Sequence, residues 1–441
     1  MINYKTEILA GVVTFSTMSY IICVQPALMS GQLLGTPTGM DSGALITTTC
    51  LISALSCFLM GLWAKYPLAL APGMGENFLV VQSMFPACAL ILGVSAGDES
   101  VWRLALGAVF LSGLLFALLS LFQVRSAMVQ IISPSLKSAI AAGIGLFIAY
   151  LGLKSGGVIQ ISHDTLGLGR LLSPEAGIFL TGLLVGGALI YWKAPGALLW
   201  GIIASAIVAM YLNKIEFNGF FGAPANPMPV VGKLDIIGAL KHLSQLWPMI
   251  IILTFMDVFD TFGTAIGVAK QAKLLVKDES GNEVLPRCER VFATDAAATM
   301  GGAFFGHSTV TCFAESASGV ESGGRTGFTA IVVGALFLFA PLFTPFFATI
   351  GQCPAITASA LVIVGIMMMR NVKDINWDDY TEAIPAFMIL AGIAFSNSIA
   401  DGILLGLVIY PVLKALCGRF KDVHCGLWIL SALLIAYLFV R

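Results

Sequence analysis

The feature that most constrains the fold of this chain is a series of apolar segments, each about as long as a membrane-crossing helix. The hydrocarbon core of a bilayer is about 30 Å thick, and about 20 helical residues are needed to cross it. Of the 441 residues, 58% are hydrophobic and only 11% are charged, whereas a typical soluble domain has about 25% charged residues. The sequence therefore predicts an all-α polytopic membrane protein and excludes a soluble globular domain.

Fourteen apolar segments can be delimited, seven before and seven after a more polar stretch at 214–244, which we interpret as an outer loop. We number these segments as spans 1 to 14. The first seven lie near 6–28, 42–63, 67–84, 102–123, 132–153, 173–192 and 195–213, and the second seven lie near 245–268, 286–304, 308–321, 325–344, 353–370, 379–395 and 397–416. A last hydrophobic segment, 425–441, is expected either to cross the bilayer or to lie in its interface.

The basic residues predict an orientation for these spans. With the N-terminus in the cytoplasm, 16 Lys and Arg residues fall in inner loops and 6 in outer loops. Because Lys and Arg accumulate in cytoplasmic loops, this bias predicts a cytoplasmic N-terminus in the inner (plasma) membrane and supports the count of fourteen spans.

Two of the spans are interrupted at equivalent positions. A unit of seven spans reverses direction across the bilayer, so a second unit of seven must be inverted relative to the first. The two shortest spans, 3 and 10, carry "APGMGEN" (71–77) and "GHSTVTCFAESASG" (306–319). Backbone freed by such a break is tolerated in a membrane only if it pairs internally or lines a cavity. We expect two short extended pieces that face each other at mid-membrane, with half-helices leading away from them.

Span 8 carries an acidic stripe. Asp257, Asp260, Thr261 and Thr264 are spaced i, i+3, i+4 and i+7, which places all four on one face of a helix. A charged residue at the bilayer centre costs about 2.5–3.5 kcal/mol on insertion scales, so such a face requires water, a partner or a substrate. The alternative for either carboxylate is a hydrogen bond that only fixes the packing of a neighbouring helix.

Acids and amides also occur at the two breaks. Glu315 stands where span 10 should resume its helix, and it could simply cap that helix. If the backbone is extended at Glu76 and Asn77, their side chains point to opposite faces and only one can face the cavity. His307 and Asp295 have structural alternatives, as a satisfied buried group and as a helix-packing residue.

Together, Asp260, Glu315 and Asn77 offer hydrogen-bond donors and acceptors that suit a flat polar heterocycle better than a free cation. A carboxyl group can also take up a proton on one side of a membrane and release it on the other. Phe78 and Phe313 flank these residues in sequence and could stack on a ring.

Five motifs in order along the chain carry a family resemblance: "FSTMSYIICVQP", "APGMGENF", "DVFDTFGTAIG", "STVTCFAESASGVESGGRTG" and "IPAFMILAGIAFSNSIADGI". With them the chain resembles the AzgA-like purine permeases of the nucleobase:cation symporter (nucleobase–ascorbate transporter) superfamily, which includes the uracil and xanthine permeases. The resemblance implies two inverted seven-span repeats that form a core domain (1–124 and 245–345) and a gate domain (132–213 and 352–416), the latter often used for dimerisation.

The resemblance also implies that Asp260, Glu315 and Asn77 contact the base, and we expect Glu315 or Asp260 to be the acid that is linked to a proton. The full candidate substrate-binding set is Asp260, Glu315, Asn77, Thr264, Phe313, Phe78, Ala314 and Gly75, with Asp257, Glu76 and His307 as further candidates. Three positions depart from the family pattern. Glu76 stands where an apolar residue is usual, Gln25 where Asn is usual, and His307 where a small hydroxyl residue is common.

We therefore predict proton-coupled uptake of a purine nucleobase (hypoxanthine, guanine, adenine or xanthine) by alternating access, with the bilayer and a second copy of the chain as further partners. An anion transporter of the same inverted-repeat fold is the alternative, and a channel is another. The nine Cys and four His residues are dispersed, which predicts no metal or other cofactor and no intramembrane enzyme. No basic patch indicates nucleic acid.

Overall fold

The computed structural model describes residues 3–121, 132–162, 165–277, 283–396 and 398–440. The helices of the first half are Tyr4–Met18, Ile21–Met29, Ser42–Leu59, Met74–Leu79, Phe85–Leu92, Glu99–Leu121, Pro134–Ser155, Pro174–Tyr191 and Ala197–Tyr211. Those of the second half are Ile236–Lys241, Leu243–Gln271, Cys288–Phe304, Ser316–Glu321, Gly327–Phe339, Thr344–Gly351, Pro354–Met369, Tyr380–Ser396, Ile399–Leu416 and Cys425–Val440. Six short strands are β1 Leu70–Pro72, β2 Ile159–Ser162, β3 Thr165–Leu168, β4 Val276–Lys277, β5 Glu283–Val284 and β6 Val310–Cys312.

These elements confirm the prediction of a mostly helical, multi-pass membrane protein. Within the described residues, ten helical segments are long and apolar enough to cross a bilayer, and Ala197–Tyr211 and Tyr380–Ser396 are shorter apolar helices. The count of fourteen crossings stays a prediction. Span 11 is longer than predicted, because its helix continues through a 3₁₀ turn and ends at Gly351.

The packing of the helices repeats between the two halves. Span 4 packs on span 9 and span 11 packs on span 2, while span 6 packs on span 12 and span 13 packs on span 5. Spans 6 and 7 form an adjacent pair, as do spans 13 and 14. Each contact maps onto its counterpart when spans n and n+7 are exchanged. This is the arrangement of an inverted repeat.

The helices fall into two groups by their contacts. We call spans 1–4 and 8–11 the first bundle, and spans 5–7 and 12–14 the second bundle, because most helix pairs that pack together belong to the same group. The helix Cys425–Val440 packs on span 14. The assignment of the two groups as core and gate domains stays a prediction.

The two interrupted spans meet as predicted, through an antiparallel pair of strands. Strands β1 and β6 pair with Leu70 opposite Cys312 and Pro72 opposite Val310. Three further groups satisfy the freed backbone. The thiol of Cys57 lies 3.2 Å from the Leu70 amide nitrogen, the Ser316 hydroxyl accepts from the Ala69 amide at 3.0 Å, and the Phe313 amide donates to the Ala69 carbonyl at 2.9 Å. The break is therefore a paired structure with few orphan backbone groups.

The backbone at Glu76 and Asn77 is helical, so the extended conformation that would point their side chains to opposite faces does not occur. The extended piece ends at Pro72, and helix resumes at Met74 directly after Gly73. Because Gly73 provides the turn and its carbonyl already accepts from the Asn77 amide at 3.0 Å, both side chains lie on a helix about 100° apart. They therefore do not alternate between opposite faces.

The molecule has two distinguishable ends. Tyr4 packs edge-on against Phe328 at 5.2 Å, and the Tyr66 hydroxyl donates to the Pro286 carbonyl, so the N-terminus lies at the same end as the loops after spans 2, 8 and 10. We call this the N-terminal end. At the opposite end the 214–235 loop is tied to span 4, since Arg103 Nε donates to the Lys233 carbonyl at 2.9 Å.

Candidate functional site

The centre of the site is formed by Glu315, Tyr20 and Asp260. Glu315 precedes the half-helix Ser316–Glu321, but its side chain makes no capping bond. Instead Glu315 Oε1 accepts a hydrogen bond of 3.0 Å from the hydroxyl of Tyr20, which lies at the break between the two helices of span 1. Tyr20 interacts electrostatically with Asp260 as well as with Glu315. The structure thus brings the span 8 acid and the span 10 acid to the same place.

Asp260 is held against strand β6 by hydroxyl groups. Thr311 Oγ1 lies 3.5 Å from Asp260 Oδ2 and 2.8 Å from Thr261 Oγ1. Asp260 is nevertheless exposed, and so are Gly263 and Gly267 on the same helical face toward the N-terminal end. An ionisable side chain that faced lipid at this depth would be costly. We therefore interpret this face as the wall of a water-filled cavity that opens toward the N-terminal end.

Span 10 supplies the facing wall of this cavity. Ala314 is exposed and Glu315 is half-buried, whereas Phe313 is buried with 6% of its surface exposed. At the mouth of the cavity, Gln271 Nε2 donates to Glu321 Oε1 at 2.6 Å and joins the two walls. Thr264 is half-buried on the span 8 side. Polar atoms therefore line the cavity from Glu315 to its mouth.

Asn77 belongs to a buried network with Gln25. The two amides bond to each other, with Gln25 Nε2 2.9 Å from Asn77 Oδ1, and the Ser308 hydroxyl also donates to Asn77 Oδ1. Gln25 Nε2 additionally lies 3.2 Å from His307 Nδ1, and His307 Nε2 lies 2.8 Å from Thr48 Oγ1. Asn77 Oδ1 thus accepts from two protein groups, whereas Asn77 Nδ2 uses one of its two N–H donors on Gln25.

This network fixes the state of the His307 ring. An amide Nε2 can only donate, so His307 Nδ1 accepts and the proton of the neutral ring lies on Nε2. That proton is donated to Thr48 Oγ1. His307 is therefore a satisfied, fully buried group, and two of the three departures from the family pattern, Gln25 and His307, contact each other.

Behind Asp260 lies a second group of acids: Glu76, Asp257 and Asp295, all at least 96% buried. Asp257 Oδ2 accepts from Thr299 Oγ1 at 2.8 Å. Asp257 Oδ1 and both Asp295 oxygens have no hydrogen-bond donor among the described residues, and the two carboxyl groups are close enough to interact electrostatically. Two buried carboxyl groups that interact in this way repel each other when both are ionised, so the pair favours binding a proton.

Glu76 approaches the strands closely because Gly73 has no side chain. A Cβ atom at Gly73 would lie 2.3 Å from Glu76 Oε2 and 2.8 Å from Thr311 Cγ2. Glu76 and Asp260 are close enough to interact electrostatically. Among the described residues, no Lys or Arg makes a salt bridge to Glu76, Asp257, Asp260, Asp295 or Glu315.

Gly75 and Phe78 lie where the two bundles touch. A Cβ atom at Gly75 would lie 3.2 Å from Ile144 Cγ2 of span 5. Phe78 is fully buried and packs edge-on against Phe147 of the same span, with ring centroids 6.1 Å apart. These contacts lie beyond the broken strands, toward the opposite end. That side of the site is closed, and Phe78 does not face the open cavity.

Four residues of the site did not emerge as candidates from the sequence: Tyr20, Gln25, Thr311 and Asp295. Tyr20 and Gln25 are polar residues inside an otherwise apolar stretch of span 1, "SYIICVQP", and this was a usable signal. Asp295 was interpreted as a packing residue because small residues surround it in sequence. Nothing local in the sequence indicates that it meets Asp257.

Comparison with known proteins identifies the family. The model of the Permease family matches residues 5–405. The chain belongs to this family. The resemblance to purine permeases of the nucleobase:cation symporter superfamily is thereby confirmed, and so is the prediction that the protein is a transporter rather than an enzyme, since the family consists of permeases.

Two relatives of this Permease family member match over nearly its whole length. A guanine/hypoxanthine permease of Bacillus subtilis is 36% identical over 99% of this chain and 98% of the relative. An adenine permease of Escherichia coli is 37% identical over 97% of this chain and 91% of the relative.

A solved structure confirms the inverted-repeat fold. The transmembrane domain of the cyanobacterial bicarbonate transporter BicA superposes with a TM-score of 0.61 over 91% of this chain and 97% of that domain. Its sequence is only 15% identical, so the likeness concerns the fold alone.

Proposed function

We propose that the protein takes up purine nucleobases together with protons across the plasma membrane, by alternating access. The observation that carries the proposal is the exposed residue Asp260 inside the helical bundle, which interacts electrostatically with the Tyr20 hydroxyl that is bonded to Glu315. Relatives 36–37% identical along the whole chain are named guanine/hypoxanthine and adenine permeases. The anion alternative is not favoured, because a cavity lined by two acids would repel an anion.

A purine edge fits the available groups. Purines present ring N–H donors beside carbonyl or imine acceptors, and a carboxyl group can accept when ionised and donate when protonated. Among the described residues, Thr311 Oγ1 lies near Asp260 Oδ2 and no hydrogen-bond donor is found for Asp260 Oδ1. Glu315 is oriented by Tyr20, and the exposed Ala314 leaves space next to it. We assign Asp260 and Glu315 as the groups that bind the base.

Asn77 then acts indirectly in this proposal. Its amide is held by Gln25 and Ser308, so it orients the start of the span 3 half-helix beside the site. An additional acceptor at Asn77 could bond only to the second N–H of Nδ2, because Oδ1 already accepts from two groups.

Proton coupling is supported by a group of acids that have no basic partner among the described residues. Five carboxyl groups inside the bundle, those of Glu76, Asp257, Asp260, Asp295 and Glu315, lack a salt bridge in the described part of the chain. Unneutralised charges at such density in a bundle are too costly, so some of these groups must hold protons. Symport requires that proton and base strengthen each other's binding. Moving one charge inward gains about 2.3 kcal/mol per 100 mV, which supports accumulation of tens-fold.

Alternating access is supported by the asymmetry of the site. The cavity is open toward the N-terminal end and closed toward the opposite end by the contacts of Gly75 and Phe78 with span 5. With the N-terminus in the cytoplasm, this corresponds to an inward-facing state. We propose that the first bundle is the core that moves the site past the second bundle, the gate, which also forms a homodimer.

Uptake by proteoliposomes tests this proposal. We expect radiolabelled hypoxanthine, guanine, adenine or xanthine to accumulate when the outside is acidic, and a protonophore to abolish the accumulation. Accumulation that is unaffected by the protonophore would exclude proton coupling. Competition by sulfate or a dicarboxylate instead of purines would favour the anion alternative, and conductance without saturation would indicate a channel.

A further inference from the structure

A cavity at the N-terminal end is lined by three basic side chains that the transport site does not use. It has a volume of about 660 Å³ and lies between the loops after spans 2, 8 and 10. Lys65, Arg287 and Arg325 belong to these three loops in turn. Among the residues that the structure describes, no acidic residue lines it.

The two guanidinium groups of this cavity are held in place by neutral partners. Arg325 Nη1 donates to the carbonyls of Val320 at 2.5 Å and Gly324 at 2.7 Å. The Arg287 guanidinium lies 5.5 Å from the centre of the Tyr66 ring. None of the three basic side chains makes a salt bridge within the part of the chain that the structure describes. Their charges are therefore available to an external anion.

Two described acids near the cavity, Glu7 and Glu289, do not line it. Glu7 is buried, and its oxygens accept from the backbone amides of Arg325 and Thr326 and from the Thr329 hydroxyl. Glu289 is exposed and close enough to Tyr66 to interact electrostatically, but it does not line the cavity. The cavity thus has a positive potential, which the exposed Glu289 outside it reduces only in part.

One wall of the cavity is apolar and continues onto the membrane-facing surface. Leu62 lines the cavity and is 64% exposed, and Leu55 and Leu59 extend the same exposed face along span 2. Trp63 is also exposed beside it, and aromatic residues of this kind are enriched at the membrane–water interface. A ligand that fills this site has an anionic part next to an apolar part.

We propose that this cavity binds the headgroup of an anionic phospholipid. Its phosphate lies among Lys65, Arg287 and Arg325, and its acyl chains lie along Leu62, Leu59 and Leu55. Basic pockets between membrane helices on the cytoplasmic side bind anionic headgroups. The site is separate from the proposed transport function, yet its loops are attached to spans 3, 8 and 10, which carry Asn77, Asp260 and Glu315.

The test measures lipid retention by the purified full-length protein. Short-chain phosphatidylglycerol, short-chain phosphatidylcholine and inorganic phosphate are titrated separately, with native mass spectrometry for bound lipid and thermal unfolding for stabilisation. We expect phosphatidylglycerol to be retained more tightly than phosphatidylcholine. If inorganic phosphate stabilises the protein as well as phosphatidylglycerol does at the same concentration, the site binds free phosphate and the lipid assignment is wrong.

The variants distinguish lipid binding in this cavity from attraction of the lipid to basic residues elsewhere on the surface. Lys65→Gln and Arg287→Gln each weaken phosphatidylglycerol retention by about fivefold, as expected from the loss of one basic group near an anionic headgroup. The matched control is the double variant Lys193→Gln/Lys373→Gln, which removes two exposed basic residues outside the cavity. Arg325 is left intact, because its bonds to two carbonyls also support the fold. The proposal is overturned if the control weakens retention equally, or if neither Lys65→Gln nor Arg287→Gln weakens it.

Discussion

The hydroxyl of Tyr20 donates a hydrogen bond of 3.0 Å to Glu315 Oε1, across 295 positions of sequence. It joins the break in span 1 to the break in span 10, and it leaves the second oxygen of Glu315 for another partner. The same hydroxyl interacts electrostatically with Asp260. One neutral side chain therefore interacts with both of the acids that we assign to the base.

Tyr20→Phe should weaken transport by removing this orienting bond while preserving the ring. Hydrogen bonds to charged groups contribute about 1.5–3 kcal/mol, so we expect a loss of roughly 10-fold to 100-fold in kcat/KM for uptake. Initial rates in proteoliposomes measure it. Tyr191→Phe, on an exposed residue, is the control and should transport normally. Wild-type kinetics in Tyr20→Phe would mean that Glu315 does not need this partner.

Asp260→Ala and Glu315→Gln should each abolish uptake while the protein remains in the membrane. Both variants remove a group that, in our proposal, binds the base or carries the proton. Purine uptake and the amount of protein in the membrane are measured together. Asp374→Asn, in an exposed loop, serves as the control acid. Purine uptake at wild-type rates in both variants would contradict the site assignment.

Asp295→Asn should leave the exchange of purine across the membrane intact but reduce purine accumulation driven by a pH gradient. The amide can still donate to Asp257, so packing is retained, but the pair no longer holds an exchangeable proton. If this proton is the coupled one, purine counterflow continues whereas accumulation driven by a pH gradient falls. Both assays use the same proteoliposomes. Equal loss in counterflow and accumulation would assign the pair a structural role only.

Ser316→Ala should destabilise the paired breaks. Its hydroxyl accepts from the Ala69 amide at 3.0 Å, and a buried donor left without a partner costs about 1–3 kcal/mol. We expect a lower midpoint of thermal unfolding in detergent. Ser318→Ala in the same half-helix is the control, because its side chain is half-buried and holds no strand amide. An unchanged midpoint in Ser316→Ala would mean that another group replaces the hydroxyl.

Much of the architecture followed from the sequence. Most apolar segments matched the observed helices within a few residues, although spans 3 and 11 continue further than predicted, to Leu92 and Gly351. The breaks in spans 3 and 10 were located because Pro, Gly and polar residues interrupt long apolar runs there. The meeting of Asp260 with Glu315 could be anticipated, because both occur at membrane depth, where an ionisable group needs a partner or water.

The conformation of Asn77 could not be anticipated in the same way. Its sequence neighbours allow an extended piece or a helix, and the choice depends on where strand β6 ends against β1. The partners of its amide, Gln25 and Ser308, come from spans 1 and 10. Likewise, the sequence gives Asp295 only small neighbours, and its meeting with Asp257 depends on how span 9 is rotated.

The amino-acid sequence was sufficient for the membrane class, the positions of the helices, the paired interruptions and the acids at their centre. Each of these depends on hydropathy and on local backbone preference, which are properties of short stretches of chain. The tertiary structure decided which side chains share a hydrogen bond, which acid is exposed and which buried acids lie together. Those outcomes depend on the relative rotation and depth of helices that are hundreds of residues apart, and no local pattern encodes them.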